Sequence, residues 1–123
     1  MPYLQLDIPG RLDVMTRRRL AGAIGQCYAR TMETKRTVPA VSITCHDGGP
    51  WRWENGELRE VIALLCDVRR GRTPEQRAQA ATELAHLIAH ELQVDLLRVV
   101  VEFTQHDADE MFRYGRIAEP ATG

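Results

Sequence analysis

The order of elements along this chain constrains it more than any single residue does. Tyr3 to Ile8 alternates and reads as a strand. A helical stretch follows from about Val14 to Met32, with Leu20, Ala23, Ile24, Cys27 and Thr31 on one face. Val38 to Cys45 then reads as a second strand. The same order returns later, as a strand Glu60–Val68, a helix from Pro74 to about Gln93 and a strand Leu97–Phe103. Residues 3–45 and 60–103 match in length and order at an offset of about sixty, without sequence identity between them. Two right-handed βαβ units predict an α+β fold, a four-stranded mixed sheet with two helices on one face. Glu60–Val68 is almost continuously apolar, which predicts burial on both sides. The far face of the sheet is therefore expected to be apolar and covered by other subunits.

Punctuation supports this order. Pro9-Gly10 ends the first strand, and Asp13 can cap the first helix. Arg17, Arg18 and Arg19 near its start read as a solvated face. Pro39 belongs at the start of the second strand, because proline cannot serve a central ladder. Trp51–Leu58 predicts a small hairpin turning at Asn55-Gly56, with both tryptophans on one side. Thr73, Pro74 and Gln76 form a capping box that opens the second helix. That helix is expected to turn Ala78, Ala81, Leu84, Ala85, Ile88 and Leu92 inward. Asp107 is expected to cap a short C-terminal helix reaching Tyr114, and residues 118–123 should be mobile.

Length makes residues 1–123 one domain, with units at 2–46 and 60–104 and a C-terminal arm from 105 to 123. The formal charge of −1 recruits no nucleic acid. RNA-reading sheets display stacking aromatics, and Glu60–Val68 has none. No stretch is apolar for long enough to serve as a signal peptide or membrane span. Cys27, Cys45 and Cys66 each sit in apolar runs and read as reduced core residues of a cytoplasmic protein. The cations comprise 15 Arg and one Lys, a bias that suits bidentate recognition of carboxylate or phosphate.

Four groups of residues could carry chemistry. Removal of Met1 leaves Pro2 as a free secondary amine. An ordinary α-amine titrates near ~8, and burial or nearby cations lower that value. Such a prolyl nitrogen can act as a base or a nucleophile, although a frayed terminus is the plainer reading. Arg69, Arg70 and Arg72 surround a glycine ahead of the second helix, either as an anion clamp or as exposed arginines of a turn. Glu102 with Arg113 could be an ion pair or a second acid/base group facing Pro2. His86 and His90 have metal-binding spacing but lack a third ligand, so they are expected to face solvent. No metal or cofactor is called for.

These residues resemble the tautomerase superfamily, and more narrowly its cis-3-chloroacrylic acid dehalogenase group. Met1-Pro2 opening a strand and the doubled βαβ order carry the broader likeness. Arg11-Leu12 with Ala23-Ile24, Arg69-Arg70-Gly71-Arg72-Thr73, and Met111 with Tyr114-Gly115-Arg116 carry the narrower one, across residues 2–117. The resemblance implies a homotrimer with sites near Pro2 at subunit contacts. It implies a small carboxylate substrate held by Arg69 and Arg72. The family's water-activating Glu falls on Arg113, its partner Tyr on Glu102 and its first-helix His on Tyr28. The water-activating pair is thus absent. Proton transfer beside a carbonyl is expected, with Pro2, Tyr28 and Glu102 as candidate acid/base groups and Arg113 as a second anion binder. Hydration, dehalogenation and decarboxylation are the alternatives.

Overall fold

The computed structural model describes residues 2–34 and 39–117. The expected mobile tail, and Val38 at the start of the second strand, lie outside them. The chain runs β1 (Tyr3–Pro9), α1 (Val14–Thr31), β2 (Ala40–His46), β3 (Trp51–Glu54), β4 (Glu57–Glu60) and β5 (Ile62–Arg69). α2 (Pro74–Leu92), β6 (Val99–His106), β7 (Phe112–Arg113) and β8 (Arg116–Ile117) follow. The main sheet has the order β2-β1-β5-β6, parallel within each half and antiparallel where β1 meets β5. This is the α+β, two-helix, four-stranded mixed sheet that the order of elements predicts.

The two halves are related by a local twofold passing between Gln5 and Leu65, which pair across the centre of the sheet. Residues sixty apart occupy matching places. Leu4 and Leu64, Ile8 and Val68, Ile24 and Leu84, and Tyr28 and Ile88 all join one buried cluster between the sheet and the helices. Gly10 N donates to His46 O at 2.8 Å, and Arg70 N donates to His106 O at 2.7 Å. Asp13 caps α1 by accepting from Thr16 N at 2.7 Å, and Thr73 caps α2 by accepting from Gln76 N at 3.1 Å. Arg30 and Glu83 bridge the helices at 3.0 Å.

Several expectations are corrected. The open face of the sheet is not uniformly apolar. Alternation puts Ala63, Leu65 and Asp67 of β5 there, beside Gln5, Asp7, Ser42, Thr44, Glu102 and Thr104 of its neighbours. The apolar run of β5 therefore misled, because its helix-facing half alone is deeply buried. On α2 the inward stripe is Ala80, Leu84 and Ile88, while Ala78 is exposed. Leu96–Arg98 forms a 3-10 turn before β6.

The C-terminal helix is one 3-10 turn, Ala108–Glu110, with the Asp107–Glu110 capping box in place. It stops at Met111, and β7–β8 follow as a hairpin. Tyr114 and Gly115 take φ of 54° and 76°, the same reversal that Asn55 and Gly56 make at 50° and 80° in β3–β4. Trp51 and Trp53 share a side of their hairpin and are exposed. Cys27 and Cys66 are buried, Cys45 is half-buried, and all three are free. Among the described residues, no helix is long and apolar enough to cross a membrane.

Candidate active site

The twofold gives the sheet two comparable ends, and the arginine-rich loop lies at one of them. At this end β1 begins and β5 and β6 finish. Pro2 is half-buried, and its carbonyl accepts from Ala40 N at 3.0 Å, which ties the terminus into the sheet. Tyr3 pairs with Asp67, so Pro2, one residue further out, lies level with Val68 and Arg69. The β5–α2 loop then carries Arg70, Gly71 and Arg72. Gly71 has φ 140° and open space where a Cβ would sit, so backbone freedom rather than room calls for glycine there. At the other end, the residue sixty on from Pro2 is Ile62, buried in the core. The counterparts of Arg69, Arg70 and Arg72 there are Pro9, Gly10 and Leu12.

The three loop arginines are not equivalent. Arg72 Nε donates to Met32 O at 2.8 Å, fastening the loop to the C-terminal turn of α1. Gln76 Nε2 makes a second link to Thr31 O at 3.4 Å. Arg70 pairs with Asp107 at 3.1 Å, and both side chains are well exposed. Arg69 sits on the open face, in register with His106. Arg69, Arg70 and Gly71 face Asp107, Ala108 and Asp109 across an open cleft of about 470 Å³, room for a small ligand. Pro2 is not among its lining residues; it lies on the far side of Arg69, one strand over.

Arg77 is a brace that sequence reading missed. Its Nη1 donates to Arg72 O at 2.6 Å and to Gln105 Oε1 at 3.2 Å, joining α2, the loop and β6. A second missed group is Asp67, which accepts from Thr104 Oγ1 at 2.6 Å and from His106 Nε2. Its partners are 37 and 39 residues away, so no local pattern announces them.

The other candidates are dispersed. Tyr28 is 3% exposed and belongs to the core. Burial pushes its phenol up, the Cys66 thiol adds to this, and the Arg72 cation opposes it only in part. Burial likewise pushes the Cys66 thiol up to about 12, so neither group ionises near neutrality. Glu102 is exposed on the open face opposite Leu65, three residues along β5 from the level of Val68. No ion pair joins it to Arg113 among the described residues. Arg113 lies on the β7–β8 hairpin, with its guanidinium 6.0 Å from the Tyr114 ring centroid. His86 and His90 are exposed, and His86 Nδ1 donates to Thr82 O at 2.8 Å.

Comparison with known proteins places this geometry in a fold. The chain is similar to N1, a member of the cis-3-chloroacrylic acid dehalogenase family, at 19% identity and a TM-score of 0.82, covering 97% of this chain and 85% of that one. It is similar to the fused 4-OT Q0, a symmetric trimer, at 15% identity and a TM-score of 0.82, covering 94% of both chains. It is also similar to Pt0534 inactivated by 2-oxo-3-pentynoate, at 16% identity and a TM-score of 0.81, again covering 94% of both. No family model and no curated protein sequence matches the chain. The shared architecture is the tautomerase-superfamily fold.

Proposed function

We propose that this chain is a Pro2-dependent tautomerase or isomerase that moves a proton on a small carboxylate-bearing keto/enol substrate. One observation carries the reading: of two ends related by a local twofold, only one combines a proline able to become a free amine with Arg69, Arg70 and Arg72. Arg69 and Arg72 hold the substrate carboxylate and polarise the adjacent carbonyl. Those cations favour the neutral amine, which takes the α-proton and returns it to carbon or oxygen. Arg113 binds a second anionic group. Tyr28 stays in the core and takes no part in the scheme. Glu102 is the further acid/base candidate, and the assembly is a homotrimer, supported by the trimeric fused 4-OT of the same fold. Neither cofactor nor metal enters the scheme. No nucleic-acid or membrane partner is invoked, and the protein acts as one domain in the cytoplasm.

The likeness to a dehalogenase-family member over 97% of this chain favours a second reading, hydration, dehalogenation or decarboxylation on the same scaffold. Halide or carbon dioxide release from small unsaturated or β-keto acids separates it from the first. The primary test is an intact mass before and after incubation with 2-oxo-3-pentynoate, with peptide mapping. The expected product lacks Met1 and carries one adduct, on Pro2. Retained Met1 blocks the amine and overturns every Pro2 mechanism. Pro2→Ala should lower turnover by roughly 10³-fold, within the usual worth of a positioned acid/base group.

A further inference from the structure

We infer that His106, held by Asp67 and set beside Arg69, is a second proton-transfer residue of the Pro2 site. This rests on the Pro2 reading and adds a residue that neither the sequence motifs nor the resemblance supplies. Arg69 pairs in register with His106, and Tyr3, next to Pro2, pairs with Asp67. Pro2, Arg69 and His106 therefore cross three neighbouring strands at nearly one level. Strands lie about 4.8 Å apart, so the row spans roughly 10 Å with the carboxylate-binding arginine in its middle. A small 2-oxo acid anchored on Arg69 then has the amine on one side and the imidazole on the other.

The hydrogen bonds fix which ring nitrogen works. Nε2 meets Asp67 Oδ1, and that carboxylate also accepts from Thr104 Oγ1 at 2.6 Å. An ionised carboxylate only accepts, so Nε2 carries the hydrogen and Nδ1 is the atom available for exchange. The His106 side chain is 38% exposed, so solvent can reset its protonation. In the keto-to-enol direction the neutral Pro2 amine takes the α-proton. The C–H electron pair becomes the C=C bond, and the carbonyl π pair moves to oxygen. That oxygen takes the Nδ1 proton from the imidazolium, which leaves neutral His106 and protonated Pro2. Solvent exchange restores both.

The fold contains its own control. Asp7 and His46 form the same pair at the other end, 2.8 Å apart. There the register partner of His46 is Pro9, and the adjoining strand opens with buried Ile62. If these pairs merely brace sheet edges, the two histidines should be equally dispensable or equally damaging.

The test compares full-length wild type, H106Q, H46Q, D67N and P2A on the ultraviolet-absorbing enol of phenylpyruvate, with circular dichroism confirming the fold of each. H106Q should lose about 10²-fold or more in kcat with KM within about threefold, and H46Q should stay within about twofold in both. D67N keeps an acceptor oxygen and should lose about tenfold in kcat; it carries the test alone should H106Q not fold. An active H106Q beside an inactive P2A removes His106 from the mechanism and leaves the Pro2 reading standing. H46Q falling as far as H106Q assigns both pairs to sheet-edge bracing. No wild-type turnover, or P2A as active as wild type, overturns the Pro2 reading and this inference together.

Discussion

Arg17 and Arg77 stand at the same point in the two halves, one turn into their helices, and have different fates. Arg77 reaches Arg72 O and Gln105 Oε1. The counterpart of Gln105 in the first half is Cys45, which offers no amide oxygen, and Arg17 Nε is buried without a hydrogen-bond partner. The lesson is about where symmetry was kept and where it was broken. The halves agree in caps, core positions and strand-end hydrogen bonds, all of which any βαβ unit needs. They differ in what holds the loop after the first strand of each unit. The braced loop region carries three arginines, Arg69, Arg70 and Arg72, where the other has Arg11 alone, paired with Asp47 at 3.3 Å.

The comparison can be stressed at three strengths. The largest expected effect concerns the shared core. Ile24→Ala and Leu84→Ala each empty a fully buried matching site and should cost about 3 kcal/mol in urea unfolding. A difference of about 2 kcal/mol or more between them would break the equivalence of the halves. Next come the arginines. Arg77→Met strips two acceptors of a charged donor and should cost about 2 kcal/mol, whereas Arg17→Met should be neutral or stabilising. Equal losses in thermal unfolding would show that the brace adds nothing.

The smallest effect concerns the caps. Thr73→Ala should cost about 1 kcal/mol at any pH from 3 to 8, since the hydroxyl does not titrate there. Asp13 differs. The backbone and side-chain hydrogen bonds of Thr16 hold its carboxyl below the ordinary aspartate value. A depressed folded value means a contribution fully present above the unfolded value and lost as pH falls through the folded one. Acid should therefore weaken the first cap and spare the second. Amide exchange at the first turns of α1 and α2, followed from pH 5 to 2, checks it, and parallel loss at both would refute it.

What could be read beforehand followed the range of the signal. The Thr73 cap on Gln76 N and the Asn55-Gly56 turn are local chemistry and stand where the sequence puts them, although the Gln76 side chain reaches Thr31 O instead of closing the box. The C-terminal hairpin was hidden because Tyr114 takes φ 54° where asparagine would have advertised the turn, while the genuine Asp107–Glu110 box suggested a longer helix. The character of the open face is not written in β5 alone, because its neighbours supply Asp7, Thr44 and Glu102. Of the candidate site, the arginine loop and Pro2 were legible from their neighbours in sequence. The Asp67–His106 pair and the Arg77 brace were not, because they exist only once the strands are aligned.

The bond from Arg72 Nε to Met32 O joins residues 40 apart in sequence. It makes the length of α1 a property of the arginine loop. One residue deleted from that helix would rotate its last carbonyls by about 100° and draw them back about 1.5 Å. Even a core that repacked around such a change would leave the loop without its mooring. Evolutionary drift in helix length is thus tied to a loop encoded in the other half, so the two units, alike in plan, can no longer vary independently.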